Sequence, residues 1–141
     1  MNVEEIQFEA SGLRLAAKQW GNSADQPVLA LHGWLDNAAT YERLAPTLQG
    51  YRVIALEFAG HGHSAHRPEG ARYHILDNVD EVFALSDALN LDRFHLVGHS
   101  MGAGVATYAA ASFPERGHAT FWPTSPTGPT RASSVPRMPS E

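Results

Sequence analysis

Gly98-His99-Ser100-Met101-Gly102 sets a hydroxyl between two glycines, where an apolar run (Phe94, Leu96, Val97) meets an alanine-rich segment, 103–112. Read as strand, turn and helix, this G-x-S-x-G pattern lifts Ser100 Oγ clear of a sheet as a nucleophile. The chemistry would be acyl transfer. The oxygen attacks a carbonyl carbon, and the first N–H groups of the helix face the negative charge that develops. Such a turn strains the backbone at the serine and leaves no room for neighbouring side chains, which accounts for Gly98 and Gly102. The segment that follows (Met101, Val105, Ala106, Tyr108, Ala109, Ala110, Phe113) is apolar nearly all round, which predicts a helix buried on most sides.

The elements that must hold this turn lie upstream. Residues 6–10 and 13–20 read as two strands joined by a tight turn at Ser11-Gly12. Val28-Leu29-Ala30-Leu31 is a continuous apolar run, as in a strand buried on both faces, and it ends at His32-Gly33-Trp34. Asp36 or Asn37 can cap a helix that buries Tyr41, Leu44, Ala45 and Leu48 and closes at Gly50. A second buried strand spans 51–58 and runs into Gly60-His61-Gly62-His63-Ser64. An amphipathic helix over about 73–89 carries Leu76, Val79, Val82, Phe83, Leu85 and Leu89, and Asn90 ends it. Strands alternating with helices predict a parallel α/β sheet covered on both faces, with its chemistry beyond the carboxyl ends of the strands. The loops at Gly33, His61 and Ser100 therefore converge on one rim.

The 141 residues are 43% hydrophobic and 18% charged, enough for one domain with a core of its own. A net charge of -5 argues against nucleic acid or an anionic membrane as the main partner. There is no cysteine, so disulfides and thiol catalysis are excluded. The first residues lack a signal-peptide pattern and no apolar run reaches membrane-spanning length, so a cytoplasmic setting is expected.

Leu31-His32-Gly33-Trp34-Leu35-Asp36-Asn37-Ala38, then 60–64, then 98–102, taken in this order and spacing, resemble the N-terminal half of an α/β-hydrolase-fold enzyme. The H-G-W-L-D-N-A string is similar to the serine-hydrolase-like branch of that family. The resemblance covers about residues 3–116 and implies a three-layer α/β/α hydrolase fold, shortened after the nucleophile helix. It implies Ser100 as the acyl-accepting nucleophile and the backbone N–H groups of Trp34 and Met101 as the oxyanion hole. His32, Gly33, Gly98, His99 and Gly102 would support the motif, and 60–64 would be a structural loop. Glu57 stands where the family more often has Asp. The implied substrate is a small-molecule ester or related acyl compound, with no cofactor and no metal. A serine rather than an aspartate at 100 speaks against dehalogenase or epoxide-hydrolase chemistry.

Family members continue to the acid and histidine of a triad. After Ser100 this chain has Glu115, His118 and Glu141, and the first of these lies at the far end of a helix about 20 Å long, so they are not read as a triad. His61, His63, His66 and His99 are candidates for a substitute base, with structural roles preferred. The spacing of His61, His63, His66 and His74 matches no metal-ligand pattern. Trp20 and Trp34 read as packing. Residues 1–116 are read as hydrolase, and 117–141 as a disordered Pro/Ser/Thr-rich tail, with out-of-frame or otherwise aberrant sequence on a truncated gene as the hypothesis for its origin. Stopping there would bare the edge of the last strand to self-association, unless 119–122 covers part of it. Two further readings stay open. One is a non-catalytic hydrolase remnant. The other, more distant, is a dinucleotide-binding dehydrogenase, because Gly98-x-x-x-Gly102-x-Gly104 fits a dinucleotide-holding turn, although no Tyr-x-x-x-Lys pair accompanies it.

Overall fold

The computed structural model describes residues 2–121. Val3–Ala10 (β1) and Leu13–Trp20 (β2) form an antiparallel hairpin. Its two-residue turn places Ser11 and Gly12 at φ 50° and 78°, the paired left-handed conformation that matches strand twist. Gln26–Leu31 (β3), Tyr51–Glu57 (β4), Phe94–Gly98 (β5) and Gly117–Phe121 (β6) run parallel to one another, in a sheet ordered β1-β2-β4-β3-β5-β6. Ile75–Ala88 (α1) and Met101–Ser112 (α2) pack together on one face of it.

Strand alternation divides the core. Leu29, Leu31, Ile54 and Leu56 face the helices, whereas Ala30, Val53 and Ala55 face the opposite layer with Trp20, Tyr41 and Ala45. That opposite layer differs from expectation. In place of one helix, the chain makes two short 3-10 turns, Ala38–Tyr41 and Ala45–Thr47. Asn37 does cap the first, its Oδ1 accepting from the Ala39 N–H at 2.9 Å. The break follows from Pro46, which has no N–H for the Glu42 carbonyl and whose ring would strike it in a continuous helix. Tyr41 and Ala45 are buried as predicted, but Leu44 turns outward.

Helix α1 starts at Ile75, two residues later than its periodicity implied, so Leu76 stands at the rim rather than in the core. Asn90 ends it in the left-handed conformation. Helix α2 is not buried on most sides. Val105, Ala106 and Ala109 are inside, while Tyr108 and Phe113 are about half exposed, because its neighbours β3, β5, β6 and α1 all lie to one side.

The boundary expected at 116/117 falls at the start of a strand. Strand β6 pairs with β5 from Phe94↔Gly117 to Gly98↔Phe121, so the β5 edge is covered and β6 becomes the edge of the sheet. Arg116 anchors the approach. Its Nη2 donates to Ser86 Oγ, Asp87 Oδ1 and the Leu91 carbonyl, and its guanidinium lies 5.4 Å from the Phe83 ring centre. The remainder of the expected tail, 122–141, lies outside the described residues. Among the described residues no helix is long and apolar enough to cross a membrane.

Two buried carboxylates tie down the long connection between β4 and α1. Glu57 accepts from the N–H groups of Ala38 (3.3 Å) and His63 (2.8 Å). Glu81 lies 2.9 Å from Arg67 Nη2 and accepts from the Ala59 N–H at 3.4 Å. Arg67 in turn packs on Tyr73, whose hydroxyl accepts the Arg67 N–H at 2.7 Å. Burial pushes the Glu81 carboxyl up to about 7, against the opposite pull of the Ala59 N–H and Arg67. The folded chain therefore keeps a proton that the unfolded chain has lost above its ordinary value of 4.5. The stability so gained is complete below that value and disappears as pH rises through about 7. Glu81→Gln should accordingly gain on the wild type between pH 5 and pH 8, by on the order of 2 kcal/mol in urea unfolding. A variant that loses ground as pH rises would show the Arg67 ion pair to dominate.

Candidate active site

Strand β5 becomes helix α2 within two residues. The His99 N–H donates to the Leu31 carbonyl at 3.0 Å, extending the sheet by one bond, and Ser100 then takes φ 53° and ψ −115° before the helix begins at Met101. A non-glycine residue held there costs of order 1–3 kcal/mol. The cost is imposed by backbone contacts on either side. A Cβ on Gly98 would stand 2.3 Å from the Gly102 carbonyl oxygen, and one on Gly102 would stand 2.1 Å from that of Leu31. At Gly104 a Cβ would meet nothing within 4 Å, so this third glycine holds no close approach of the kind a dinucleotide-binding turn requires.

The loop after β3 leans on the same turn. A Cβ built on Gly33 would lie 3.2 Å from His99 Nδ1 and 3.6 Å from Ser100 Cβ. Ser100 and His99 are exposed, and Ser100 Oγ makes no hydrogen bond among the described residues. The N–H groups of Trp34 and Met101, on either side of this contact, likewise have no acceptor among the described residues.

The histidines around the rim are engaged elsewhere. His32 is fully buried, with Nδ1 2.7 Å from the Gly33 carbonyl and Nε2 3.1 Å from the Phe58 N–H. Because an N–H only donates, Nε2 accepts and Nδ1 carries the proton. Burial lowers the pKa of this ring, which favours the same neutral form. His61 is fixed in the same tautomer by its partners, its Nε2 accepting from the Leu35 N–H at 3.1 Å and its Nδ1 facing the Ala59 carbonyl at 3.0 Å. His61 thereby ties the loop after β3 to the loop after β4. His63 Nδ1 lies 3.3 Å from Glu57 Oε2, and His66 and His74 are exposed. Among the described residues no group of three or more His, Asp or Glu could hold a metal ion. Glu115 is exposed in the turn after α2, and the His118 backbone pairs with His95 near the start of β5, away from Ser100.

Beside the elbow lies a cavity of about 260 Å³, walled by Trp34, Leu35, Tyr73, Ile75, Asn78 and Met101 among others. Tyr73 and Asn78 line this cavity outside the sequence motifs. A signal was present: Asn78, Glu81, Val82 and Leu85 fall on one helical stripe, and two polar residues on a stripe otherwise buried call for partners or a role.

Residues 26–119 match the sequence pattern of a family described as alpha/beta hydrolase fold. Over 117 residues the chain is 44% identical to a serine hydrolase-like protein of Dictyostelium discoideum, which takes in 80% of this chain and 33% of that one. A solved structure of a hypothetical protein from Pseudomonas aeruginosa PAO1 superposes with a TM-score of 0.80 at 48% identity, covering 86% of this chain and 43% of that one. A thioesterase domain from the curacin biosynthetic pathway does so with a TM-score of 0.77 at 33% identity, covering 82% and 44%. The chain thus spans a third of the Dictyostelium relative and less than half of either solved chain.

The glycine contacts predict two opposite outcomes from the same substitution. Gly102→Ala forces α2 away from β3 and should cost at least about 1–3 kcal/mol. Gly104→Ala, in open space on the same helix, should be neutral or stabilise by up to about 1 kcal/mol. Thermal unfolding of the two variants reads both; equal effects would contradict the packing described.

Proposed function

The chain belongs to the α/β-hydrolase-fold family, and on that premise we propose that Ser100 is the nucleophile of a serine hydrolase acting on esters or related acyl compounds. The supporting observation is an exposed hydroxyl on a residue held at positive φ, against which the Gly33 loop packs, while the N–H groups of Trp34 and Met101 have no acceptor among the described residues. In the reaction Ser100 Oγ forms a bond to the acyl carbon, the bond to the leaving group breaks, and the hydroxyl proton is carried by water to the departing alcohol or thiol. The N–H groups of Trp34 and Met101 hold the oxyanion, and losing one such donor typically slows acyl transfer by about a hundred- to a thousandfold. The acyl-enzyme is then hydrolysed by water, and none of these steps needs a cofactor. The thioesterase domain among the structural relatives supports an acyl substrate.

One observation favours a second reading, in which the chain binds acyl compounds without turning them over. Among the described residues no imidazole or carboxylate accepts a hydrogen bond from Ser100 Oγ. Without a base the hydroxyl stays protonated and is a weak nucleophile. Both readings retain the family fold, whereas the glycine spacing no longer supports a dinucleotide site.

A fluorophosphonate probe and a chromogenic short-chain ester separate the two. For the hydrolase, Ser100→Ala should abolish both labelling and ester cleavage in a sample that melts as the wild type does. Neither signal in folded wild-type protein would leave the non-catalytic reading.

A further inference from the structure

The cavity beside the elbow is lined by Trp34 and Met101, whose amides are proposed to hold the oxyanion, and by a polar side chain with no partner among the described residues. Asn78 is 8% exposed, and its carboxamide makes no hydrogen bond among the described residues. The other polar side chains of the wall are differently placed. Tyr73 is half exposed with its hydroxyl accepting from the Arg67 N–H, both His61 nitrogens are engaged, and His66 and His74 are exposed. Trp34, Leu35, Ile75 and Met101 make the rest of the surface apolar. A mostly apolar wall with a few convergent polar groups is the usual make-up of a small-molecule site, in which the polar groups fix orientation. The carboxamide is open to the cavity and is satisfied there by water or by whatever enters in its place.

We infer that Asn78 determines specificity, donating a hydrogen bond from its carboxamide to an oxygen carried along a short acyl chain whose ester carbonyl lies at the elbow. The substrate class is then short oxygen-bearing acyl groups, of the oxo or hydroxy type, rather than plain hydrocarbon chains. This rests on the Ser100 reading for the placement of the ester carbonyl. Size is compatible with it: 260 Å³ lies just below the common range for ligand pockets. Discrimination arises because a hydrocarbon in the same position leaves the carboxamide buried and unpaired.

The test measures dissociation constants by ligand-observed NMR for a series of oxo acids, with the ketone moved one carbon at a time. Each is compared with its shape-matched methyl-branched acid. The wild-type chain should bind one oxo acid about tenfold more tightly than its hydrocarbon twin. Asn78→Leu should erase that ratio. Asn78→Asp, which keeps the shape but removes the donor, should erase it too, and melting curves report whether each variant is folded. No preferred oxo acid, or a preference that both folded variants keep, overturns the inference. Fluorophosphonate labelling of the same samples separates this result from the Ser100 reading. Labelled Ser100 with no Asn78-dependent preference sinks the specificity role alone. An Asn78-dependent preference with unlabelled Ser100 keeps the pocket and removes the serine chemistry.

Discussion

The first turn of α2 lies directly against the last residues of β3, backbone on backbone, with the Leu31 carbonyl where a Gly102 side chain would otherwise be. The rest of the rim follows from this contact. It leaves the chain two residues in which to pass from strand to helix, and so places Ser100 at positive φ with its side chain outward. It brings the loop after β3 against His99 and Ser100, so that Trp34 and Met101 flank the same point. The strain at one residue is offset by the packing of two whole elements, whose buried side chains include Leu29, Leu31, Val105 and Ala106.

The rim is then made rigid by side chains whose chemistry might suggest catalysis. His32 and His61 each use both ring nitrogens on backbone groups, joining the ends of β3 and β4. Glu57 and Glu81 accept from backbone amides of the neighbouring loops and face His63 and Arg67. An imidazole with both nitrogens engaged has no lone pair left for a substrate proton. These groups hold the elbow's surroundings in place, while Ser100 and the amides of Trp34 and Met101 stay unpaired among the described residues.

What escaped the sequence reading did so for identifiable reasons. Tyr41, Ala45 and Leu48 have helical spacing, yet the segment folds as two 3-10 turns because Pro46 interrupts the hydrogen bonding that this spacing presupposes. The composition of 117–121 carries no periodic signal, and the strand there is defined by its partner β5 and by Arg116, a residue that makes its contacts on α1 and the loop beyond it. Tyr108 and Phe113 are apolar but exposed, since burial depends on which side of α2 has neighbours. Asn78 and Glu81 share a stripe and differ in fate: Glu81 meets Arg67 and the Ala59 amide, and Asn78 meets the cavity.

Residue types and spacing determined the strand–turn–helix around Ser100 and the convergence of the loops at Gly33, His61 and Ser100 on one rim, and three motifs carried the resemblance to the family. Those features are local, set by glycine sterics and by runs of apolar side chains a few residues long. Only the tertiary structure decided which histidines serve as fasteners, which buried polar groups find partners and where the cavity lies. Each of these is a meeting of residues tens of positions apart, such as His61 with Leu35 or Glu81 with Arg67 and Ala59, and no property of either residue alone announces the other.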